Sequence, residues 1–244
     1  TIAETLQEAG YYTAHIGKWH LGNKVGMRPR DQGFDDSLYM AGTLYQQWDH
    51  PNVVSAKRPE DGIDRMVTAT ARYRANFNDG EYFQPDGYLT DYYAREAVKV
   101  IENNRNRPFF LYLAQWGVHN PLQATAEDYA AFDHIEDHHL RVYAGMIRAL
   151  DRSVGEVTKA VREVFGVLNC ILLFGCAGII LIFCYYQTKT FRYEREQKRH
   201  VHRTQLKDAF RLYSPTVIEG LESRCPDVCL HILWGGPESV HQCG

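Results

Sequence analysis

The sequence predicts an α/β fold, a sandwich of helices around a mainly parallel sheet. Three observations carry the prediction. Two apolar, strand-like runs, residues 11–16 and 109–114, each follow a helical pattern. A loop bearing a histidine lies just beyond the C-terminal end of each run, and a long helix-period stripe occupies residues 140–161. Alternating helices and apolar strands imply a parallel sheet, and sites in such sheets gather at the carboxyl ends of the strands.

Residues 1–9 read as a short helix with Ile2, Leu6 and Ala9 apolar, Thr1 and Glu4 spaced as a capping box, and Gly10 suited to the left-handed position that ends it. Residues 11–16 are β-prone and stop at Gly17, which leaves Lys18 and His20 in a loop. Another short strand is expected within 33–39. Residues 41–87 are rich in Asp, Asn, Gly, Pro and aromatics without clear periodicity, and read as long surface loops, a feature often tied to function. Thr90 or Asp91 caps the next helix, on which Ala94, Ala97, Val98 and Ile101 recur at helical spacing. Pro108 marks its end, and 109–114 follows as a strand of the buried type. Leu140, Tyr143, Ile147, Leu150, Val154, Val157 and Val161 alternate steps of three and four, a single apolar stripe that predicts the packed face of a third helix.

At 244 residues the chain is long enough for one large domain or two small ones. Its 45% apolar and 23% charged residues are ordinary for a globular protein, and a net charge of −3 leaves no nucleic-acid footprint. The charge is unevenly spread. Residues 1–163 carry 18 Lys+Arg against 23 Asp+Glu, whereas 164–244 carry 9 against 7. All six cysteines lie after residue 163, so the first two thirds contain neither a disulfide nor a thiol nucleophile. The chain opens in mid-pattern without an initiator Met, which reads as a cut end or, alternatively, a processed terminus.

Residues 164–186 contain no charge and one strongly polar side chain, Asn169. A helix of that length rises about 34 Å, enough to cross a hydrocarbon core, so a transmembrane helix is predicted. Eight Lys+Arg against three acids in 187–211 place the C-terminal side in the cytosol by the positive-inside rule. The α/β part would then be lumenal, lysosomal or extracellular. A buried core helix and a stretch of foreign sequence joined by alternative splicing or a gene-model error are the competing readings. Cys225-Pro-Asp-Val-Cys229 with His231 has loose metal-ligand spacing, but one such cluster without a second pair reads as incidental.

Lys18 and His20 flank Trp19, and in an extended segment they project to one side. An ammonium offers a point charge with three donors for sulfate or phosphate oxygens, and a histidine can donate to a leaving oxygen near neutral pH. On spacing alone such a pair is more often solvated. His15, His134, His138 and His139 read as structural or solvated.

The string from Gly10 to Gly22, with Gly17-Lys18-Trp19-His20-Leu21-Gly22 at its end, resembles the second signature of the sulfatases. Arg30-Asp-Gln-Gly-Phe-Asp35 is similar to the family's Gly-Phe-Asp element. Pro108 to Ala114, leading to His119-Asn120-Pro121-Leu122-Gln123, resembles the strand and His-x-Pro-Leu-Gln loop of arylsulfatases, particularly the N-acetylgalactosamine-4-sulfatase (arylsulfatase B) branch. Tyr143 to Met146, with Leu150, Asp151, Val154 and Gly155, matches that branch's following helix. The resemblance covers residues 1 to about 163 in the family's order. It implies part of an alkaline-phosphatase-like sandwich and hydrolysis of sulfate esters, those of sulfated sugars or other small sulfated molecules, by a formylglycine hydrate beside calcium. Carried over by motif, Lys18 would bind a sulfate oxygen, His20 would orient the formylglycine hydroxyl, and His119 would contact the sulfate and help protonate the leaving alcohol.

The family's Cys/Ser-x-Pro-x-Arg nucleophile motif and its Asp-Asn-Gly segment do not occur in these 244 residues, and the one Asp-Asp pair, Asp35-Asp36, follows the 17–22 string instead of being the family's early pair. The expectation is therefore three anion-contacting residues without nucleophile or metal ligands, in a chain that does not hydrolyse sulfate esters alone. The alternative is a non-catalytic single-pass membrane protein that binds a sulfated glycan or a protein partner. Related phosphodiesterases or phosphonate hydrolases form a third reading, which the string at 17–22 disfavours.

Overall fold

The computed structural model describes residues 1–165, 170–175, 179–184 and 230–232. Helix α1 (Ile2–Glu8) begins with the expected capping box, Thr1 and Glu4 satisfying each other's backbone N–H, and it buries Ala3 and Leu6. Gly10 (φ 86°) turns the chain into strand β1 (Tyr12–Gly17), which pairs in parallel with β2 (Asp36–Met40) on one side and β6 (Phe109–Ala114) on the other. Among the described residues the main sheet runs β10-β8-β9-β6-β1-β2-β4-β5. It is parallel at the centre, β6-β1-β2, and antiparallel where β9 (Ile179–Cys184) meets β6 and where β2 meets β4 (Ala75–Phe77), so the sheet is more mixed than expected. Its outer strands are β5 (Tyr82–Phe83), β8 (Cys170–Gly175) and β10 (Leu230–Ile232).

Why β6 is apolar throughout follows from its position. Phe109, Leu111 and Leu113 join the core shared with helices α3 (Leu89–Asn103) and α5 (His138–Phe165), while Phe110 points to the opposite face and packs with α1, Trp19 and Phe34. A strand covered on both faces has no side to leave polar. Emptying one of these fully buried positions, as in Leu111→Ala, costs about 2–5 kcal/mol.

The Gly-Phe-Asp element is a structural clamp. Gly33 ends the 3₁₀ turn Pro29–Gln32 at φ 89°, where a Cβ would lie 2.3 Å from the Glu4 nitrogen. Phe34 enters the aromatic core, and the Asp35 carboxylate accepts from the Thr13 N–H (2.8 Å) on β1. This clamp delays the start of β2 to Asp36, later than the strand expected within 33–39.

Residues 41–87 contain more order than their composition suggests. They hold β3 (Val53–Ala56), α2 (Gly62–Thr70), β4 and β5, and β3 pairs with β7 (Leu122–Thr125) as a separate two-stranded sheet. These strands are too short to show a period, and the partner of Val53 is Thr125. Helix α2 starts at its cap, Asp61, and carries Ile63, Met66 and Val67 at helical spacing, but this apolar line is left largely exposed and only Asp64 is buried.

Helix α5 packs by a face other than the predicted stripe. Leu140, Tyr143 and Ile147 are 39–59% exposed, and the buried line is Val142, Met146, Ala149, Ser153 and Val157. The predicted stripe joins the core in its second half, where Val154 packs against it and Val157 and Val161 are buried. Small residues on the inner line allow close approach: a Cβ on Gly145 would lie 3.0 Å from that of Ala124 on β7.

The predicted membrane span at 164–186 is corrected. Helix α5 continues to Phe165, and the described parts of the apolar run, 170–175 and 179–184, form the antiparallel pair β8–β9 against β6. Among the described residues no helix is long and apolar enough to cross a membrane. A run of Ile, Leu and Phe interrupted by Gly175 and Gly178 fits two sheet strands as well as a helix, because periodicity cannot separate the two. The basic stretch 187–211, Cys225 and Cys229 lie outside the described residues.

Helix α4 (Ala126–Ala130), capped by Thr125, carries Asp128 into a charged junction of three helices. Its carboxylate, 1% exposed, accepts from Arg152 (2.7 and 2.9 Å) and Arg148 (2.6 Å) on α5, and Arg152 also donates to Asp91 of α3 (3.0 and 3.1 Å). Burial pushes the Asp128 carboxyl up, but hydrogen bonds from Arg152 and Thr125 and the two guanidinium charges outweigh it and hold the pKa below the usual carboxylate value. At Asp91 burial prevails, and its pKa is raised.

Asp128→Ala is expected to lower the free energy of urea unfolding by about 2 kcal/mol. That is less than a fully buried pair would lose, because water can reach the guanidinium groups it strands. Arg148→Ala should cost less than about 1 kcal/mol, since Arg152 still satisfies Asp128. Equal losses in the two variants would contradict Asp128's place as the centre of the junction.

Candidate active site

The site is built where β1 and β6 end side by side. Gly17 is registered against Ala114, at φ 108°, and a Cβ there would lie 2.0 Å from the Ala114 carbonyl oxygen. No other residue fits without moving one strand, a displacement that costs several kcal/mol in a packed sheet. The next residue, Lys18, donates its N–H to the same carbonyl at 2.8 Å. The loops after both strands therefore leave the sheet from one point.

The first loop is held by its buried aromatics. Trp19 donates its indole N–H to the Met27 carbonyl at 2.8 Å. His15, fully buried on β1, lies against Trp19, Phe34 and Tyr112. Its Nε2 donates to the Lys18 carbonyl at 3.2 Å, which leaves Nδ1 to accept from the Ser37 hydroxyl at 2.9 Å. Burial lowers its pKa from 6.5 to about 4, and the bond to the Lys18 carbonyl only partly opposes this. The structural reading of His15 holds, and its bond places the backbone of Lys18.

Lys18 is half-buried and makes no ion pair among the described residues; its Nζ lies 4.9 Å from the centre of the Trp116 ring. Burial lowers its pKa, the direction expected of an ammonium with no carboxylate beside it. His119, exposed, stacks on the same indole with centroids 3.9 Å apart and planes 25° from parallel. Its Nδ1 donates to the Asn120 carbonyl at 2.7 Å, so Nε2 remains to exchange a proton. Of the three residues singled out from the sequence, Lys18 and His119 both contact the Trp116 indole. His20 is exposed, with no hydrogen bond or ring contact to either among the described residues.

Two further residues shape the site. Trp116, buried, donates its indole N–H to the Thr43 carbonyl at 2.9 Å. Tyr45, fully buried, directs its hydroxyl at the carbonyls of Trp116 and His119, each at 2.9 Å. The Gln of His-x-Pro-Leu-Gln supports them: Gln123 accepts from the Tyr45 N–H at 2.9 Å, and Tyr88, stacked on Tyr45, donates to the Gln123 carbonyl. Trp116 had no signal beyond being an aromatic in a post-strand loop. Tyr45 had none, because its partners are more than 70 residues away.

Among the described residues no group of three His, Cys, Asp or Glu side chains could hold a metal ion, and the 244 residues contain no Cys/Ser-x-Pro-x-Arg segment. The described residues therefore do not fit calcium, and the sequence offers no segment of the formylglycine type.

A half-buried ammonium and an imidazole nitrogen without a protein partner among the described residues lie beyond the carboxyl ends of adjacent parallel strands of an α/β fold. The Sulfatase family model matches residues 1–169, six residues beyond the expected limit, and the chain belongs to the sulfatase family. It is 29% identical over 181 residues to arylsulfatase J of Mus musculus, covering 71% of this chain and 28% of that protein. Against N-acetylgalactosamine-6-sulfatase of Canis lupus familiaris it is 29% identical, covering 66% and 29%. Against arylsulfatase G of Rattus norvegicus it is 31% identical, covering 67% and 32%. The chain thus spans about a third or less of the length of these relatives. The crystal structure of Ps i-CgsB in complex with k-i-k-neocarrahexaose shares the fold with a TM-score of 0.56 at 27% identity, over 76% of this chain and 47% of that one.

His15 ties stability to pH. Its folded pKa of about 4 lies below the unfolded value of 6.5, so its contribution is complete above pH 6.5 and is lost as pH falls towards 4. Between pH 7 and 4, wild type should lose about 3 kcal/mol more unfolding free energy than His15→Gln, which cannot take up the proton. Parallel pH profiles for the two proteins, measured by urea titration, would show that His15 is not buried neutral.

Proposed function

We propose that the chain supplies the sulfate-holding and proton-donating side of a sulfuric ester hydrolase that acts on sulfated sugars. One observation supports this above the others: Lys18 and His119 both contact the Trp116 indole, and among the described residues no carboxylate pairs with the ammonium. Lys18 holds a sulfate oxygen. His119, as imidazolium, contacts the sulfate and gives the Nε2 proton to the departing alcohol oxygen, so that the alcohol leaves neutral. His20, exposed two residues beyond Lys18, would serve a reacting group supplied by another segment. A relative named for an N-acetylgalactosamine sulfate and a structural neighbour in complex with a neocarrahexaose favour a sugar as the alcohol.

In this reading the 244-residue chain binds sulfate esters without cleaving them, since positioning and proton donation leave the attack on sulfur unsupplied. The purified chain should bind N-acetylgalactosamine 6-sulfate with a Kd on the order of 1 mM by calorimetry or NMR titration, and Lys18→Ala should weaken binding at least about tenfold. It should not turn over a chromogenic aryl sulfate. Equal binding by wild type and Lys18→Ala would dismiss the anion site, and turnover would dismiss the inactivity of the chain alone.

A further inference from the structure

We infer that Trp116 is the positioning residue of this site: one indole sets the spacing of the Lys18 ammonium and the His119 imidazole, with Tyr45 locking the loop that carries it. This rests on the assignment of Lys18 and His119 to one sulfate ester.

A lysine on four rotatable carbons samples many positions unless something holds its head. A carboxylate would hold it by cancelling the charge that an anion needs. An aromatic face attracts the ammonium through its quadrupole and leaves the full charge for the ligand. The same reasoning applies to His119. Stacking fixes the plane of its ring, the Asn120 carbonyl occupies Nδ1, and Nε2 stays uncommitted.

Trp116 is itself immobile. It is buried, its N–H is bonded to the Thr43 carbonyl, and its own carbonyl accepts from the His119 N–H (3.0 Å) and the Tyr45 hydroxyl. The Tyr45 hydroxyl has one proton for two carbonyls, those of Trp116 and His119, and so spans both ends of the turn. The platform and one of the two groups it orients therefore share a backbone lock.

The test uses the full chain. In wild type, NMR should show the Lys18 ε-methylene and His119 ring protons displaced upfield by the indole ring current, assigned with Lys18→Ala and His119→Ala. Trp116→Leu should return both sets to unperturbed positions and weaken N-acetylgalactosamine 6-sulfate binding about tenfold, whereas Trp116→Phe, which restores an aromatic face, should bind within about threefold of wild type. Tyr45→Phe keeps the stack on Tyr88 and should reduce only the His119 shift. Absence of the upfield shifts in wild type overturns the proposal, as does a folded Trp116→Leu that binds like wild type. If Trp116→Leu does not fold, the wild-type shifts and the Phe variants decide. If wild type shows the shifts but binds no sulfate ester, the sulfate reading fails while the positioning by Trp116 stands.

Discussion

The contact on which the site depends is the one between Gly17 and the carbonyl of Ala114. Two parallel strands approach so closely at their carboxyl ends that a single added carbon has no room. Because Lys18 then bonds to the same carbonyl, the loop after β1 and the loop after β6 begin from one fixed point. Everything chemical follows from that shared origin: Lys18 is one residue beyond it on the first strand, Trp116 and His119 two and five residues beyond it on the second. A sheet without this approach could hold the same side chains and not bring them together.

The molecule treats its cations in two ways. Arg148 and Arg152 are engaged by carboxylates, and their role is to join α3, α4 and α5 around Asp128. Lys18, as deeply set in the site as those residues are in their junction, faces an aromatic ring. The distinction is physical. A paired cation contributes to stability and offers little to a ligand, whereas a cation held by a quadrupole carries its whole charge to whatever anion arrives. Burial of Lys18 without a counter-charge lowers its pKa, which works against the folded protein and is tolerated where the site needs the charge.

Legibility varied with the length scale of the interactions. Helix α1, strand β1 and strand β6 were readable because their signals are local: a capping box, a glycine stop and an uninterrupted apolar run. The Gly-Lys-Trp-His-Leu-Gly string identified the family. Between residues 41 and 87 the reading failed, since β3 exists only as the partner of β7 and the short apolar line of α2, Ile63, Met66 and Val67, spans barely more than one turn. On α5 a real apolar stripe was assigned to the wrong side. Leu140, Tyr143 and Ile147 satisfy the helical period, yet β7 lies against Gly145 and needs small residues rather than large ones. The apolar run after residue 163 had the composition of a membrane helix, and its described parts pair as strands, because Ile, Leu and Phe suit either environment.

By itself the sequence determined the family and the alternation of helices and strands, both of which reside in short contiguous patterns. The tertiary structure decided how they combine. It placed Lys18 and His119 on one indole and left His20 apart, and it converted Tyr45, from a stretch with no readable motif, into the lock of the catalytic loop. Gln123 became a buried brace for Tyr45 rather than a group facing substrate. These outcomes depend on contacts between residues more than 70 positions apart, and no local periodicity or spacing encodes where such partners meet. The close Gly17–Ala114 approach is of the same kind: a glycine at the end of a strand is visible in the sequence, but the carbonyl that requires it belongs to another strand.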